Sequence, residues 1–173
     1  MRELVDWLEQ RTQRGSRHAA TEDRAARDLV ARSIAADGYG RHLGFELVAA
    51  ARGTATVRMR IGPQHLNFNG RCHGGAIFSL GDMALGLACN SHGTIAALID
   101  GNISISTGVE PGDWLVAHAI EVSRSRKVGV YRVDVSRVSD QAHACLSGTV
   151  YVTGKPVPVA APGERPGLAP LLN

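Results

Sequence analysis

A short stretch of the chain, residues 71–90, brings together residue types that could carry out chemistry. It reads RCHGGAIFSLGDMALGLACN, so a histidine and two glycines open an apolar segment with one carboxylate, Asp82, in its middle. A helix that is apolar on all its faces is normally buried, and an unpaired buried carboxylate is costly. Asp82 therefore needs either a structural partner, such as an arginine or a serine hydroxyl, or a chemical role.

Gly74 and Gly75 stand where this helix would begin. The first N–H groups of a helix have no partner within it and lie at the positive end of its dipole, and glycine leaves them uncovered by a Cβ atom. Such donors can stabilise the oxyanion that forms when an acyl carbonyl is attacked. The pair therefore indicates an oxyanion hole, with the alternative that His73 and the glycines are a simple helix cap.

The spacing of Gly74 and Asp82 bears on how they could act together. Eight residues of helix span about 12 Å, so the two groups cannot reach one substrate within a single chain. Two such helices packed antiparallel about a twofold axis would bring the start of one beside the middle of the other. We therefore expect a dimer with two equivalent sites, in which Gly81 and Gly86 let the helices approach closely and Asp82 faces a water or an acyl carbon.

The flanking sequence predicts the elements that position these residues. Hydrophobic periodicity and turn residues predict helices over 3–12, 22–36 (capped by Thr21 and ended by Gly38 and Gly40) and 74–90, and strands over 45–50, 54–61, 95–107, 114–124, 128–138 and 143–153. One long buried helix wrapped by a curved antiparallel sheet is an α+β layout. We divide the chain into a helical N-terminal extension, a main domain and a proline-rich tail that is extended or disordered, over residues 1–37, 38–154 and 155–173.

Composition limits the classes of protein to consider. The chain has 173 residues, is 44% hydrophobic, and carries 19 basic against 16 acidic residues without long runs of like charge, so we expect no nucleic-acid or membrane partner. Cys72, Cys89 and Cys145 lack the spacing of a disulfide framework or a zinc site, so we interpret them as small buried hydrophobes and expect no metal. The absence of a signal-like or membrane-spanning segment predicts a cytoplasmic protein.

The motif around the helix start resembles that of a known family. The run NFNGRCHGGAIFSLGD at 67–82, followed by ACNS at 88–91 and GVY at 129–131, resembles the hotdog-fold thioesterases of the phenylacetate-degradation (PaaI) type. The match extends over residues 38–153. The resemblance implies the hotdog fold, a dimer often paired into a tetramer, and hydrolysis of acyl-CoA thioesters without a cofactor. A non-catalytic acyl-CoA-sensing regulator and a hotdog dehydratase or hydratase are the alternatives.

By position, the resemblance implies a role for each residue of the motif. Gly74 would polarise the thioester carbonyl through its N–H, and Asp82 of the partner subunit would be the base or the nucleophile. Asn67 would orient the attacking water or the carboxylate, while His73 would shape the helix start and bond near the thioester. Because a thioester is already electrophilic and its thiolate leaves easily, one carboxylate and one donor suffice without a Ser-His-Asp set.

The residues of two further regions are interpreted less directly. Where some relatives carry a hydroxyl, this chain has Leu98, with Asp100 two residues on. Either that assisting role is absent or the alignment slips by two, and we interpret Asp100 as a turn or ion-pair residue. At the hairpin before residue 128, Arg124, Arg126 and Lys127 could bind the phosphates of CoA, with a solvated hairpin face as the alternative.

Overall fold

The computed structural model describes residues 17–138 and 143–158. The helix predicted over residues 3–12 and most of the predicted tail lie outside these ranges. In chain order the elements are α1 (Arg17–Ala36), α2 (Gly38–Leu43), β1 (Glu46–Ala51), β2 (Thr54–Arg60), a 3-10 turn (Pro63–His65), α3 (Gly74–Asn90), β3 (Thr94–Ile105), β4 (Trp114–Arg124), β5 (Val128–Arg137) and β6 (His143–Pro156).

The strands form one antiparallel sheet that packs against α3. Their order is β1-β2-β4-β5-β6-β3, so β1 and β3 are the two edges. Alternate residues of the inner strands point at the helix and are almost fully buried, which is typical of a sheet with one covered face; they include Val57, Met59, Ala117, Ala119, Val133, Val135, Leu146 and Val150. The predicted α+β layout, a sheet around one long helix, is therefore present.

Helix α3 is covered by the sheet on one side only. Leu80, Ala84, Leu85 and Ala88 are fully buried against the strands. The ridge at four-residue spacing, formed by Phe78, Asp82, Gly86 and Asn90, remains half-exposed, and we call it the uncovered face of α3. The apolar sequence on all sides of this helix thus does not mean that a single chain buries it completely.

Gly81 does not lie on the uncovered face. It is buried, and a Cβ atom added there would lie 3.3 Å from Cδ1 of Leu146 on β6. The prediction that Gly81 lets two helices approach is therefore wrong, because Gly81 lets the helix approach its own sheet. Gly86 does lie on the uncovered face, where an added Cβ would meet nothing within 4 Å.

The helices before the sheet depart from the predicted boundaries. Helix α1 begins at Arg17, so Thr21 lies inside it rather than capping it, because the alanine-rich residues before Thr21 continue the helix. Gly38 and Gly40 do not simply end a helix but belong to α2, whose first turn is capped by Asp37 accepting from the Gly40 N–H at 2.5 Å. Helix α1 packs on β1 and α3, and α2 contacts α3, where Cε of Met83 would lie 3.1 Å from a Cβ atom added to Gly40.

The N-terminal helix is tied to the turn between β1 and β2. Ala26 and Val30 of α1 are 3% and 1% exposed, so this helix has a buried apolar stripe. Arg52 in the turn forms an ion pair with Glu22 at 2.9 Å, and its N–H donates to Asp23 at 3.1 Å. The described part of the extension is therefore integral to the folded chain.

Strand β3 contains Leu98, the position where some relatives carry a hydroxyl, and Asp100. Leu98 points inward, and a Cβ atom added to Gly148 would lie 2.8 Å from its Cδ1. Asp100 lies within the strand at a bulge, so the interpretation as a turn residue is wrong. It has no ion pair with a described residue, and an ion pair elsewhere stays a prediction. A strand bulge is a tertiary feature that the local sequence did not indicate.

Strand β6 extends further than predicted. It continues through Lys155 and Pro156, which the sequence analysis assigns to the tail.

The prediction that the three cysteines are small buried hydrophobes is met by two of them. All three cysteines are free; Cys72 and Cys89 are buried, and Cys145 is half-buried. Burial raises the pKa of the Cys72 thiol to about 11. Within residues 17–138 and 143–158, no helix is long and apolar enough to cross a membrane.

Candidate active site at the start of the central helix

The start of α3 is organised by His73. This residue has extended backbone angles and caps the helix, and its Nδ1 accepts the Gly75 N–H at 2.8 Å. The Ala76 N–H donates to the His73 carbonyl at 2.9 Å. The N–H of Gly74 has no hydrogen-bond partner among the described residues. Gly74 is thus the donor left for a substrate, and the expectation that Gly75 offers a second N–H is not met, because His73 occupies it.

The hydrogen bond to Gly75 also determines the protonation pattern of His73. A nitrogen that accepts a backbone N–H carries no proton, so the neutral ring has its hydrogen on Nε2. The side chain is exposed, which leaves Nε2–H able to donate to a ligand. The predicted role in shaping the helix start is observed, and contact with a thioester stays a prediction.

A second histidine, His65, supports this region, and the sequence analysis did not identify its role. It is 2% exposed, its Nδ1 accepts the Gly62 N–H at 2.9 Å, and its Nε2 donates to the Leu43 carbonyl at 3.0 Å. Its own carbonyl accepts the N–H of His73 at 2.8 Å. His65 therefore fixes the chain before the motif, and no spacing rule links it to Leu43, because that contact is long-range.

Asn67 organises the loop that precedes the helix. Its Oδ1 accepts the N–H groups of Asn69 at 2.9 Å and Arg71 at 3.2 Å, and its own N–H donates to the Arg71 carbonyl at 2.8 Å. Because the side-chain oxygen is occupied, only the NH₂ group remains for a ligand. Asn67 could therefore donate to a water or a carboxylate but could not accept a proton from either.

Asp82 has no structural partner in the described part of the chain. It lies half-buried on the uncovered face of α3 and makes no hydrogen bond or ion pair with a described residue. Burial raises the pKa of this carboxyl above its ordinary value. Pairing with an arginine or a serine hydroxyl, the structural alternative, does not occur among these residues. A raised pKa makes the carboxylate a better proton acceptor.

A single chain does not bring Gly74 and Asp82 together. Gly74 lies beside the end of β3, where a Cβ atom added to it would be 3.4 Å from Cδ1 of Ile105, and Asp82 follows two turns later on a continuous helix. The cavity beside the helix start holds about 10 Å³, room for about one water molecule; it is lined by Ile77, Ile105, Thr107, Val109, Leu115, Val135 and Ala144. One chain therefore does not bring both groups together, and this cavity beside the helix start has no space for an acyl chain.

The three basic residues of the β4–β5 turn do not act alike. Arg124 is half-buried and its Nη1 donates to the Cys89 carbonyl at 3.4 Å and to the Tyr131 hydroxyl at 3.2 Å. Arg126 and Lys127 are exposed in the turn, with Lys127 Nζ 3.2 Å from the Tyr151 hydroxyl. Arg124 therefore anchors the end of α3, while Arg126 and Lys127 are free of the core.

Arg124 belongs to a larger polar network that the sequence did not indicate. The Tyr131 hydroxyl donates to Glu121 at 2.5 Å, and the same carboxylate oxygen accepts from His92 Nε2 at 2.6 Å. His92 Nδ1 in turn accepts from Nε of Arg52 at 3.1 Å. Burial lowers the pKa of His92 from 6.5. The network joins residues from the β1–β2 turn, the end of α3, β4 and β5.

Comparison with known proteins decides the family. The model of the thioesterase superfamily matches residues 69–143. The acyl-coenzyme A thioesterase PaaI of Escherichia coli is 31% identical over 118 residues, which cover 68% of this chain and 84% of that protein. The chain belongs to the thioesterase superfamily and to its PaaI type.

The solved structures of this family agree with the fold. That of the E. coli PaaI protein, from the phenylacetic acid degradation operon, superposes with a TM-score of 0.76 at 28% identity, over 79% of this chain and 99% of that one. A Streptococcus mutans protein solved bound to acetyl CoA superposes with a TM-score of 0.63 at 31% identity, over 65% and 91% of the two chains. The predicted hotdog fold, the PaaI-type resemblance and the assignment as a thioesterase are confirmed.

Proposed function

We propose that this PaaI-type thioesterase hydrolyses acyl-CoA thioesters to the free acid and CoA, at two sites that are each shared between the subunits of a dimer. The observation that carries the proposal is Asp82, a half-buried carboxylate without a described partner on the uncovered face of α3. The first N–H of the same helix, that of Gly74, is also without a described partner. The name of the E. coli relative and the acetyl CoA bound to the S. mutans neighbour support the class of substrate.

Two features of the structure support the same twofold axis. If Gly74 of one helix faces Asp82 of an antiparallel mate, the residue midway between them, Phe78, faces itself on the axis. Phe78 lies on the uncovered face, and a Cβ atom added to Gly101 would be 3.5 Å from the tip of its ring. Gly101 lies in the middle of β3, so the helix and the strand indicate one common axis.

The edge of β3 supplies a second contact for such a dimer. The strand has 12 residues and, among the described strands, pairs only with β6, so its other side presents backbone groups without a partner in the described part of the chain. Asp100, Gly101 and Asn102 at its centre are exposed. A long free edge readily pairs with an identical strand about a twofold axis. The further pairing of dimers into a tetramer stays a prediction.

In this arrangement the thioester lies between the Gly74 N–H and Asp82 of the partner subunit. As a base, the carboxylate takes a proton from water, the oxygen bonds to the carbonyl carbon, and the C–S bond breaks to release the CoA thiolate. As a nucleophile, it forms an anhydride as the thiolate leaves, and water then cleaves the anhydride. In both cases the N–H stabilises the oxyanion, while the Asn67 NH₂ and the His73 Nε2–H are available donors.

The CoA arm would leave the site toward the basic β4–β5 turn of the subunit that supplies Asp82. Arg124 shows that this turn lies at the end of α3, because it reaches the Cys89 carbonyl. In an antiparallel pair, that end projects beyond the start of the mate's helix. Arg126 and Lys127 are therefore the exposed cations available to phosphate groups.

Subunit complementation tests the shared site. We expect Asp82→Asn and Gly74→Pro chains to be inactive alone, whereas each heterodimer keeps one intact site, so an equal mixture should recover about a quarter of the wild-type activity. Proline suits the first position of a helix and only removes the N–H. A mixture of Asp82→Asn with the doubly substituted chain is the matched control and should stay inactive. Heterodimers without activity would contradict a shared site.

A further inference from the structure

Phe68 is presented to solvent by an ordered loop. It is 98% exposed, whereas no other large hydrophobic side chain among the described residues exceeds 62%. The loop is closed by the pairing of Leu66 with Cys72. Within it, Asn67 accepts the Asn69 N–H on its Oδ1 and the Gly70 N–H on its carbonyl. Single exposed apolar residues are common on protein surfaces, but here a defined backbone holds the ring in water. The loop therefore has the form of a docking element.

The uncovered face of α3 has a gap between its side chains at Gly86, and we call this gap the notch. Gly86 follows Asp82 by one turn, is half-exposed, and has no atom within 4 Å of an added Cβ. Glycine weakens a helix interior relative to alanine, and no described residue comes close enough to require it at this position. The position therefore leaves room on the surface for a side chain from elsewhere.

The proposed twofold axis brings the loop to the notch. The loop that carries Phe68 directly precedes Gly74, where α3 begins. In the proposed dimer this helix start faces Asp82 of the partner subunit, so the loop before it lies toward Gly86 of the partner subunit, one turn further along that helix. We infer that Phe68 of one subunit packs into the notch at Gly86 of the partner subunit. The inference rests on the dimer proposed above and adds a contact between copies of this chain.

The contact would place an aromatic wall beside the catalytic carboxylate. Gly86 and Asp82 occupy adjacent turns of one ridge, so a ring in the notch covers the flank of Asp82 of the partner subunit. That wall reduces the access of bulk water to the carboxylate from this side. Each subunit gives one loop and receives the other, so the two sites are closed in the same way.

Cross-linking separates this inference from the dimer itself. In a Cys145→Ser chain, Phe78→Cys should form a disulfide across the axis, which tests the dimer alone. Differently tagged Phe68→Cys and Gly86→Cys chains should form a 68–86 disulfide only between subunits, mapped by mass spectrometry after mild oxidation. A 78–78 bridge without a 68–86 bridge overturns the inference and leaves the shared site intact. Failure of both bridges overturns the dimer as well.

Exchanging the large side chain at position 68 and the small one at position 86 tests the contact independently, through the dimer Kd. Phe68→Ala should raise the dimer Kd at least tenfold, and Gly86→Leu should do the same by filling the notch, whereas the combination should recover much of the loss. Val122→Ala, at an exposed apolar residue on β4, is the matched control and should leave Kd unchanged. If Phe68→Ala instead raises KM for acyl-CoA with an unchanged dimer Kd, the ring contacts the substrate and the inference is wrong.

Discussion

At the scale of single residues, Asp82 is placed where it costs the fold stability. A carboxylate that is half-buried without a described partner is harder to ionise, which is why burial raises its pKa. Because folding then favours the protonated form, the ionised form carries a penalty above the folded pKa that is absent below the ordinary value of about 3.9. Such a residue is explained better by a reaction than by packing.

Asp82→Asn should therefore separate activity from stability. The amide has nearly the same shape without the basic oxygen, so we expect kcat to fall at least about 100-fold while acyl-CoA binding is retained. Removing the unpaired charge should raise Tm at pH 7, and this gain should shrink in acid, where Asp82 of the wild type is protonated. Thermal melts at both pH values and single-turnover rates measure these effects. A lower Tm with retained turnover would show a structural aspartate.

The two arginines of the β4–β5 turn should respond differently to substitution. Arg126→Gln should raise KM about three- to tenfold for an acyl-CoA but not for a truncated thioester without the nucleotide, because only the former carries the phosphates. Arg124→Gln should instead destabilise the fold by about 1–3 kcal/mol, since it leaves the Cys89 carbonyl and the Tyr131 hydroxyl without their donor. Arg132→Gln, at an exposed position on β5, is the control. Equal effects of Arg126→Gln on both substrates would exclude phosphate binding.

At the scale of elements, α3 is held at both ends by side chains. His73 caps its start, and at its end Asn90 Nδ2 donates to the carbonyls of Gly86 at 2.8 Å and Ala96 at 3.0 Å. The helix therefore keeps its register against the sheet even though one of its faces is uncovered. This rigidity is what lets a helix start and a carboxylate two turns away serve as fixed parts of two sites.

Substitutions at His73 should distinguish its cap from its free ring nitrogen. His73→Ala removes the acceptor for the Gly75 N–H and should cost about 1 kcal/mol of stability, whereas His73→Asn supplies an oxygen for the same cap and should cost little. Both lack the Nε2–H, so if it bonds near the thioester, turnover should fall in both. Denaturant unfolding and kcat, measured together, test this. Full activity in His73→Asn would limit His73 to capping.

At the scale of the whole molecule, the network around His92 links the N-terminal helix to the sheet. Arg52 binds Glu22 and Asp23 of α1 on one side and His92 Nδ1 on the other, while Glu121 receives His92 Nε2–H and the Tyr131 hydroxyl. Only the neutral imidazole fits between a guanidinium donor and a carboxylate acceptor in this way. Protonation of His92 would place a hydrogen against Arg52.

The stability of the protein should therefore depend on pH through His92. Because the folded pKa lies below 6.5, the unfolded chain binds the proton first, so stability is complete above pH 6.5 and falls as pH decreases toward the folded pKa. We expect His92→Gln to remove this part of the pH dependence below pH 6.5, which thermal melts can follow. An unchanged profile in the variant would show that other groups cause the decline.

The sequence alone determined the features that depend on neighbouring residues. The periodic apolar pattern and the flanking turns predicted α3 as 74–90 and all six strands to within two or three residues at their ends. The HGG motif correctly indicated a helix start there, with one free donor at Gly74 rather than the two expected. Helical and strand hydrogen bonding follows local periodicity, so these elements and the residues on them can be read along the chain.

Only the tertiary structure decided how each residue of the motif is used. It showed that the Gly75 N–H is occupied, that Gly81 faces the sheet, that Arg124 bonds to the Cys89 carbonyl and the Tyr131 hydroxyl, and that Asp82 has no described partner. It also produced the contacts of His65 and the network of His92, whose members come from segments far apart in the sequence. Such pairings arise from the packing of strands and helices in three dimensions, and no local spacing rule encodes them.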